Sequence, residues 1–472
     1  MEMEGMEGAI LIFMLGNMEQ TVARKQTKRE KNNTQKRTEG WKQKGIWLFW
    51  YAVVPVFAFY LMECYEHNPF AEVRVGAQLF NIFLFELIGW MLYFLTGRMC
   101  FASRVLYGLA VAFGIGHNSA ARGVRDALAG RAEVLVTDLC AEAMPRMFGL
   151  TRAAYLWMIS RMPRLWKLMY EVSDRRNMAE KPVRGIAPVE RLLERLLREW
   201  KPDAVVCTYM VYPYMLDSLA SRTGRAVPYL TVVTDSFVIN KSWLCSKSPL
   251  WAVTDPWTRA IMEEKGLPQD RLRVTGFPVN PVLGALAKEH PLSWKEGEPF
   301  RVLYFAQRSA RHARAELAGM LDANPALHVT CILGRRFRRI YPRIRDLRAR
   351  YGRRLTVRGW TRRVPSYLAA SHVVVGKAGG ATVHEVLAAA RPMLVNFLLP
   401  GQEEGNTRLL EKLGGGGHVP DVRALASALQ EMMADGGAQW RRMHENLLRA
   451  GMTGGSGRIA DLALKLAEEH TN

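Results

Sequence analysis

The chain has 472 residues, of which 49% are hydrophobic, a length that exceeds what one hydrophobic core usually holds and predicts two domains with an additional segment. Its formal net charge of +21 is compatible with nucleic acid, anionic lipid or a phosphorylated substrate as a partner and by itself excludes none of them. The six cysteines are widely spaced and include no C-x-x-C pair, which argues against a small disulfide-stabilised framework and predicts reduced thiols in a cytosolic domain.

The first predicted element is a pair of membrane-spanning helices after a basic tail. The tail, residues 1–45, contains nine Lys or Arg. Residues 46–62 are uncharged, residues 79–95 carry only Glu86, and each run is close to the roughly 20 residues that a helix needs to cross a bilayer. Basic flanks and an acidic connection between the runs orient both ends toward the cytoplasm. We therefore predict a transmembrane hairpin within 46–97; buried core helices are the alternative.

A first Rossmann-like domain is predicted at 103–286, and it opens with a strand, a glycine turn and a helix. The turn contains Gly116, His117 and Asn118, and the free N–H groups at the helix start point into the same space. His117 is therefore placed to deprotonate an acceptor hydroxyl, although a structural role fits the pattern equally.

Three further strands of this domain, at 132–139, 202–210 and 227–237, alternate with helical patterns. Such alternation predicts a parallel sheet with helices on both faces, and ligands bind at the carboxyl ends of its strands. Asp138, Thr208, Tyr209 and Thr234 lie at these ends, and Asp235 is the strongest candidate. Asp235 can orient the imidazole of His117 or bind an acceptor; a helix or turn cap is the alternative.

The segment 144–170 mixes Trp157, Trp166 and several Tyr and Met with Arg and Lys. A basic, aromatic, amphipathic segment is typical of helices that lie on an anionic membrane surface, and it suits a lipid acceptor. An ordinary pair of core-facing helices is the alternative.

A second Rossmann-like domain is predicted at 298–472, after a linker at 287–299 that is rich in Pro, Gly and charge. Its predicted strands are 300–306, 328–333, 355–360, 372–377 and 392–399. The fourth strand passes through Gly379 and Gly380 into a helix, and a glycine turn at a helix N-terminus is an anion site suited to a diphosphate.

Two more features follow that turn. Glu385 lies one turn into the helix, where a carboxylate can accept both hydroxyls of a ribose. The run 400–406, P-G-Q-E-E-G-N, then supplies amide and carboxylate groups for the hydroxyls of a sugar. The order of the three features predicts a nucleotide-sugar site.

An Arg-rich segment, residues 335–363, contains thirteen Arg and one acidic residue, Asp346. Such a run is usually a solvated face, and it also fits an anionic lipid surface or nucleic acid. Few aromatic residues lie among the arginines to stack on bases. We therefore predict an anionic membrane surface, and no nucleic acid, as a partner.

Several motifs together carry a family resemblance. They are G-x-G-H-x-S-A-A at 114–121, V-T-D at 233–235, T-G-F-P-V at 275–279, G-W at 359–360, K-x-G-G-x-T-x-x-E at 377–385 and P-G-Q-E-x-x-N at 400–406. From about 103 to 465 the chain resembles the monogalactosyldiacylglycerol synthase and processive diacylglycerol glucosyltransferase family, which is similar to glycosyltransferase family 28. It is more distantly similar to the N-acetylglucosaminyltransferase that forms lipid II.

The resemblance implies an α/β protein of the GT-B fold, with two parallel-sheet domains. It implies an inverting hexosyltransferase that moves sugar from a UDP-sugar to a membrane lipid such as diacylglycerol. His117 would be the base or position the acceptor, and Asp235 would be its companion. The expected donor contacts are Gly334, Gly359, Trp360, Gly379, Gly380, Thr382, Glu385, Gln402, Glu403 and Asn406, and the expected acceptor contacts are Gly116, Asn118, Trp157 and Trp166.

The chain departs from the family where a glycine-rich turn usually follows the first strand of the second half. Arg308 and Ser309 stand there instead and are expected to bind diphosphate by charge and hydroxyl, unless that function is lost. No cluster of His, Asp or Cys at ligand spacing predicts a metal, and no cofactor is required. The alternatives are transfer of N-acetylglucosamine to a polyprenyl-linked or other lipid, and UDP-sugar epimerisation. We expect a multi-pass protein of the cell membrane with its catalytic domains on the cytoplasmic side.

Overall fold

The computed structural model describes residues 9–13, 115–162, 187–289, 292–399 and 401–471. The predicted transmembrane hairpin, the strand predicted just before Gly114, and Trp166 lie outside these ranges. Within the ranges, no helix combines the length and the apolar character needed to cross a membrane.

Two six-stranded sheets, all of whose strand pairs are parallel, form the framework of the described residues. The first sheet has the order β2-β1-β3-β4-β5-β6 and the second β12-β11-β10-β7-β8-β9. The strands are β1 (Ala9–Phe13), β2 (Glu133–Thr137), β3 (Ala204–Cys207), β4 (Tyr229–Val232), β5 (Leu250–Val253), β6 (Leu272–Val274), β7 (Phe300–Phe305), β8 (Leu327–Ile332), β9 (Leu355–Arg358), β10 (Val373–Lys377), β11 (Met393–Phe397) and β12 (Gly416–His418). Two parallel sheets with helices between their strands are the α/β architecture of a GT-B-like fold.

Helices connect the strands and cover the sheets. They are α1 (Ile115–Leu128), α2 (Leu139–Ala143), α3 (Pro145–Arg161), α4 (Ala187–Trp200), α5 (Val211–Thr223), α6 (Pro256–Glu264), α7 (Val282–Glu289), α8 (Ala310–Ala323), α9 (Phe337–Ile340), α10 (Arg345–Tyr351), α11 (Val364–Ala369), α12 (Gly380–Ala388), α13 (Gln402–Lys412), α14 (Val422–Met433), α15 (Ala438–Ala450) and α16 (Gly455–Thr471). Short 3₁₀ turns occupy Lys241–Leu244, Gln269–Arg271, Gly334–Arg336, Tyr341–Arg343, Gly352–Arg354 and Asp435–Gly437.

Strand β7 shows how each sheet is buried on both faces. Val302 and Tyr304 belong to the cluster beneath α8 and α14, whereas Leu303, between them, belongs to the cluster beneath α12. Successive side chains of a strand point to opposite faces, so a parallel strand between two helix layers is apolar throughout. This is why the predicted strands read as continuous apolar runs.

Strand β1 lies where the sequence predicts a tail. Ala9–Phe13 pairs on both sides in parallel register, with Ile10 opposite Val134 of β2 and opposite Ala204 of β3. The run AILIF is apolar and rich in β-branched isoleucine, as an inner strand of a parallel sheet usually is. The first domain therefore includes residues that the sequence assigns to the segment 1–45.

The chain crosses between the two halves earlier than predicted and then crosses back. Leu283 of α7 packs with Leu368 of α11 and Val383 of α12, so α7 lies against the second half ahead of the linker predicted at 287–299. Helix α16 returns to the first half, where Ile459 and Ala463 pack with Val206 and Leu230. Alanine at helical spacing lets α16 approach the sheet closely. The last helix of the second domain predicted at 298–472 therefore packs against the first sheet.

Candidate active site

His117 lies in the first turn of α1, at the carboxyl ends of β3 and β4, and is 4% exposed. Its Nδ1 is 2.8 Å from the carbonyl oxygen of Thr208 and 2.9 Å from Oγ1 of Thr234. A carbonyl oxygen can only accept a hydrogen bond, so Nδ1 carries the proton and Nε2 is the basic nitrogen. Burial lowers the pKa of His117 to about 4, and the ring is therefore neutral at pH 7.

Two aromatic rings flank this imidazole. Tyr209 meets it edge to face at a centroid distance of 5.0 Å, and Trp243 lies tilted at 6.2 Å. The indole N–H of Trp243 donates to Oδ2 of buried Asp235 at 2.7 Å. Asp235 therefore fixes a ring beside His117, while the backbone and hydroxyl of the two threonines fix the imidazole. Thr208, Thr234 and Asp235, which the sequence places at strand ends, lie around His117, and Trp243 joins them through a contact that local sequence does not reveal.

Next to His117, the first turn of α1 carries groups that face the second half. Oγ of Ser119 donates to Oε1 of Glu385 in α12 at 3.2 Å. Asn118 is 7% exposed, and its Oδ1 has no hydrogen-bond partner within the described part of the chain. An unpaired buried amide oxygen is costly and is a natural acceptor for a ligand hydroxyl.

Glu385 is partly buried where its helix, α12, packs against α1. Burial raises the pKa of its carboxyl to about 7, against the smaller opposing effects of the Ser119 hydrogen bond and the Arg122 charge. The carboxyl therefore titrates near neutral pH. A group that must accept two hydroxyls has to be ionised, so its pKa bears directly on ligand binding.

The glycine turn at the start of α12 lies against the first half. Gly379 is the extended cap residue and Gly380 is the first helical residue. A Cβ at Gly380 would lie 3.2 Å from the carbonyl oxygen of Thr234, so a larger residue would press on the strand end that holds His117. The free N–H groups at the start of α12 therefore lie next to His117. Thr382 lies in the same first turn and is partly buried.

Lys377, at the end of β10, brings a positive charge to this turn. A Cβ at Gly379 would lie 3.7 Å from its Nζ, and Nζ is 2.5 Å from Oε1 of Glu403 in α13. The same carboxylate accepts the backbone N–H of Leu399 at 3.0 Å through Oε2. The sequence prediction does not include Lys377, although its position at a strand end ahead of two glycines is a usable signal.

Residues 402–406 of the predicted run form the start of α13. Nδ2 of Asn406 donates to the carbonyl of Ala378 at 2.9 Å, and its buried Oδ1 has no partner among the described residues. Gly401 has a φ of 102°, which permits the sharp entry into the helix. The side chain of Gln402 lies outside the described part of the structure.

The residues that replace the family's glycine-rich turn are already engaged. Nη1 of Arg308 is 3.5 Å from Oε1 of Glu316, and its guanidinium lies 5.4 Å from the centroid of the Phe397 ring. Ser309 caps α8, accepting the backbone N–H of His312, whose Nδ1 also lies 2.8 Å from Oγ.

The remaining predicted residues of the second half lie after β8 and β9. Gly334 has a φ of 56° and begins a 3₁₀ turn. Gly359 packs by Phe337, and Trp360 is 59% exposed with the Arg362 guanidinium over its ring. In the described residues, no group of three or more His, Cys, Asp or Glu is placed to hold a metal ion.

Residues 117–279 match the sequence profile of the family described as monogalactosyldiacylglycerol (MGDG) synthase. The processive diacylglycerol beta-glucosyltransferase of Bacillus subtilis (strain 168) is 23% identical over 371 residues, which is 77% of this chain and 95% of that protein. The enzyme of the same name from Staphylococcus carnosus (strain TM300) is 24% identical over 332 residues, 68% of this chain and 83% of that protein.

Among solved structures, a UDP-GlcNAc 2-epimerase from Neisseria meningitidis bound to UDP-GlcNAc has a TM-score of 0.47 and 13% identity, covering 73% of this chain and 97% of that one. The match to the family profile begins at His117. In sequence the chain is therefore similar to the monogalactosyldiacylglycerol synthases and the processive diacylglycerol glucosyltransferases, as its motifs predict.

Proposed function

We propose that this protein is an inverting glycosyltransferase that moves a hexose from a UDP-sugar to the hydroxyl of a membrane lipid such as diacylglycerol. One observation carries the proposal. Thr234 touches both His117 and the start of α12, so a neutral base and a helix N-terminus suited to a diphosphate lie side by side.

The reaction follows from these groups. Nε2 of His117 takes the proton of the acceptor hydroxyl, and the oxygen attacks the anomeric carbon from the face opposite UDP. The bond from that carbon to the diphosphate oxygen breaks, and UDP leaves with the electron pair. The N–H groups of α12 and the ammonium of Lys377 stabilise the charge on the departing diphosphate. Glu385 holds the ribose, and Asn406 binds a sugar hydroxyl through its unpaired oxygen.

The acceptor side is proposed from helix α3. Met147, Leu150 and Trp157 are 56%, 70% and 55% exposed and lie on one face at helical spacing, while Phe148 packs into the core. An exposed apolar stripe with a tryptophan suits the boundary between lipid headgroups and acyl chains. Together with the hairpin predicted at 46–97, it supports placement at the cytoplasmic face of the cell membrane.

Product analysis tests the function directly. The purified full chain in detergent is incubated with a panel of labelled UDP-sugars and membrane lipid extract, and the products are identified by mass spectrometry. A labelled lipid is expected. A new UDP-sugar without labelled lipid would instead indicate an epimerase, and N-acetylglucosamine on a polyprenyl-linked lipid would replace the acceptor in the proposal.

His117→Ala is the matched variant for this assay. Loss of a general base typically lowers turnover by about 10²- to 10⁴-fold, whereas the donor contacts of the second half remain in place. We expect transfer to fall by that amount while UDP binding, measured by calorimetry, persists. If both fall together, His117 is structural and the assigned base is wrong.

A further inference from the structure

Residues 234–238, which follow β4 in the first half, receive three separate contacts from the second half. We call them the contact segment. Gly380 at the start of α12 abuts the carbonyl of Thr234, as described above. The other two contacts come from Gly405 of α13 and His384 of α12. Each lies next to a residue assigned to the donor site but has no role in the proposed reaction.

Gly405 meets the contact segment with no space for a side chain. A Cβ at this position would lie 1.9 Å from the carbonyl oxygen of Ser236 and 2.9 Å from the backbone nitrogen of Val238. Both are backbone atoms, which cannot move aside as a flexible side chain can. Gly405 lies inside α13, where alanine is a better helix former than glycine. The glycine is therefore required by the neighbouring half and not by its own helix.

His384 forms a polar contact with the same segment. Its Nε2 is 3.2 Å from Oγ of Ser236, which lies 2.8 Å from Oγ1 of Thr254. Oγ1 of Thr254 in turn donates to Oδ2 of Asp255 at 2.7 Å. All four residues are buried.

The imidazole of His384 is also stacked on a ring of the first half. Its ring lies 4.7 Å from that of Phe277 with an interplanar angle of 8°. Asp255 caps α6 and bonds Thr258, so the polar chain ends at the start of a helix of the first half. The histidine is therefore held in orientation by the ring and in position by the hydrogen bond.

We infer that the second half docks on the contact segment when it closes over the donor. Gly405 and His384 then position α12 and α13 so that the donor is aligned with His117. The inference rests on the proposed function and adds the residues that align its two substrates. Thr234 and Ser236 are two residues apart, so the segment that holds the base also receives the helix that carries Glu385. A shift of α12 relative to the contact segment would move the anomeric carbon of the donor relative to Nε2 of His117.

The test compares Gly405→Ala with Gly284→Ala in the full chain. Gly284 is also helical, in α7, and has no atom within 4 Å of the Cβ position. For Gly405→Ala we expect kcat to fall by about 100-fold, the effect of misplacing reacting groups by about 1 Å. The Kd for UDP should stay within a few-fold, because α12 keeps its own groups. X-ray scattering should show that UDP compacts wild type and Gly284→Ala but not Gly405→Ala.

Substitutions at His384 test the second contact. His384→Gln retains a side-chain amide that can reach Oγ of Ser236, whereas His384→Phe keeps an aromatic ring against Phe277 and loses the hydrogen bond. We expect kcat to be rescued by Gln relative to Phe, with a similar KM for the donor. Equal kcat values for the two variants would overturn the assignment of His384.

If Gly405→Ala had the kcat and the UDP-dependent compaction of wild type, the role inferred for the contact segment would be overturned. A fall in UDP affinity and in melting temperature together with the fall in kcat would also overturn it, because Gly405 would then be needed for folding. If wild type forms no glycolipid, the proposed function fails. UDP-dependent compaction of wild type, Gly284→Ala and Gly405→Ala still decides whether the second half docks on the contact segment.

Discussion

Burial moves the pKa values of two central residues in opposite directions. It lowers the pKa of His117 to about 4 and raises that of Glu385 to about 7. In each case loss of hydration disfavours the charged form. At neutral pH the base is therefore ready to accept a proton, whereas the carboxyl proposed to hold the ribose is only partly ionised.

The titration of Glu385 predicts how donor affinity depends on pH. As pH rises from about 6 to about 8, the carboxyl ionises and accepts stronger hydrogen bonds from the ribose, each worth about 1.5–3 kcal/mol. We expect the KM for the UDP-sugar to fall by about tenfold over this range. Glu385→Gln should have a high KM with no such dependence, measured under initial-rate conditions. Parallel pH profiles for wild type and variant would refute this role.

How much of the site is predictable differs between residues. The rule that ligands bind at strand ends brings Thr208, Thr234 and Asp235 together from the sequence alone. The indole bond of Trp243 and the pair of Lys377 with Glu403 are not predictable this way. They depend on side-chain directions that are fixed only when separate helices pack. Local pattern therefore gives the positions of functional groups, and tertiary packing decides which of them pair.

Among the elements, helix α3 has the least ordinary surface. Among its described side chains, three exposed apolar ones lie on one face, whereas an exposed leucine such as Leu448 in α15 stands singly. Single exposed apolar residues are common on soluble proteins, and an aligned group indicates contact with a partner. The Arg-rich segment 335–363 differs from α3, because two of its charged residues form exposed ion pairs. Asp346 pairs with Arg314, and Arg350 pairs with Asp322.

A charge on α3 should therefore impair access to lipid in a bilayer. Burial of a leucine side chain contributes about 1.5–3 kcal/mol, so Leu150→Glu should slow transfer to diacylglycerol in reconstituted vesicles by about tenfold or more. Transfer to a short-chain diacylglycerol dispersed in detergent should be unchanged. Leu448→Glu is the control and should match wild type in both assays. An equal effect of the two substitutions would show that α3 has no special contact with lipid.

The sequence predicts long apolar strands well and short strands poorly. The predicted run 300–306 agrees with β7 at Phe300–Phe305, and 328–333 agrees with β8 at Leu327–Ile332 to within one residue. Strands β6 and β12 have three residues each, and β12 reads Gly-Gly-His. Such strands form because a neighbouring strand offers hydrogen bonds at the sheet edge. Their own side chains carry almost no signal.

For the whole molecule, buried histidines set the response to acid. Burial lowers the pKa values of His117, His372 and His384 to about 4, while unfolded histidine titrates near about 6.5. Arg301 and Arg391 further disfavour protonation of His372, and Asp255 opposes the shift at His384. The unfolded chain binds more protons between these values, so stability is complete above about pH 6.5 and is lost as pH falls toward 4.

We expect the melting temperature to drop by about 3 °C or more between pH 6.5 and 4.5, the change that ~1 kcal/mol produces in domains of this size. Glu385, whose pKa is raised from 4.5 to about 7, acts in the opposite direction, because its stabilising effect is lost as pH rises from about 4.5 to about 7 and so partly offsets the fall. His372→Gln should flatten the fall, whereas His418→Gln, at an exposed position, should not. Calorimetry that gives identical slopes for both variants would contradict this origin.

The return of α16 to the first half has a consequence for the order in which the protein is made. Val206 and Leu230 are covered by Ile459 and Ala463, which the ribosome adds more than two hundred residues later. The second half, from α7 to α15, is contiguous and can fold while synthesis continues. The first sheet must keep an apolar face exposed until α16 has emerged. The half that begins first is thus completed last, and a chaperone or membrane surface that shelters this face during translation would act on the first half alone.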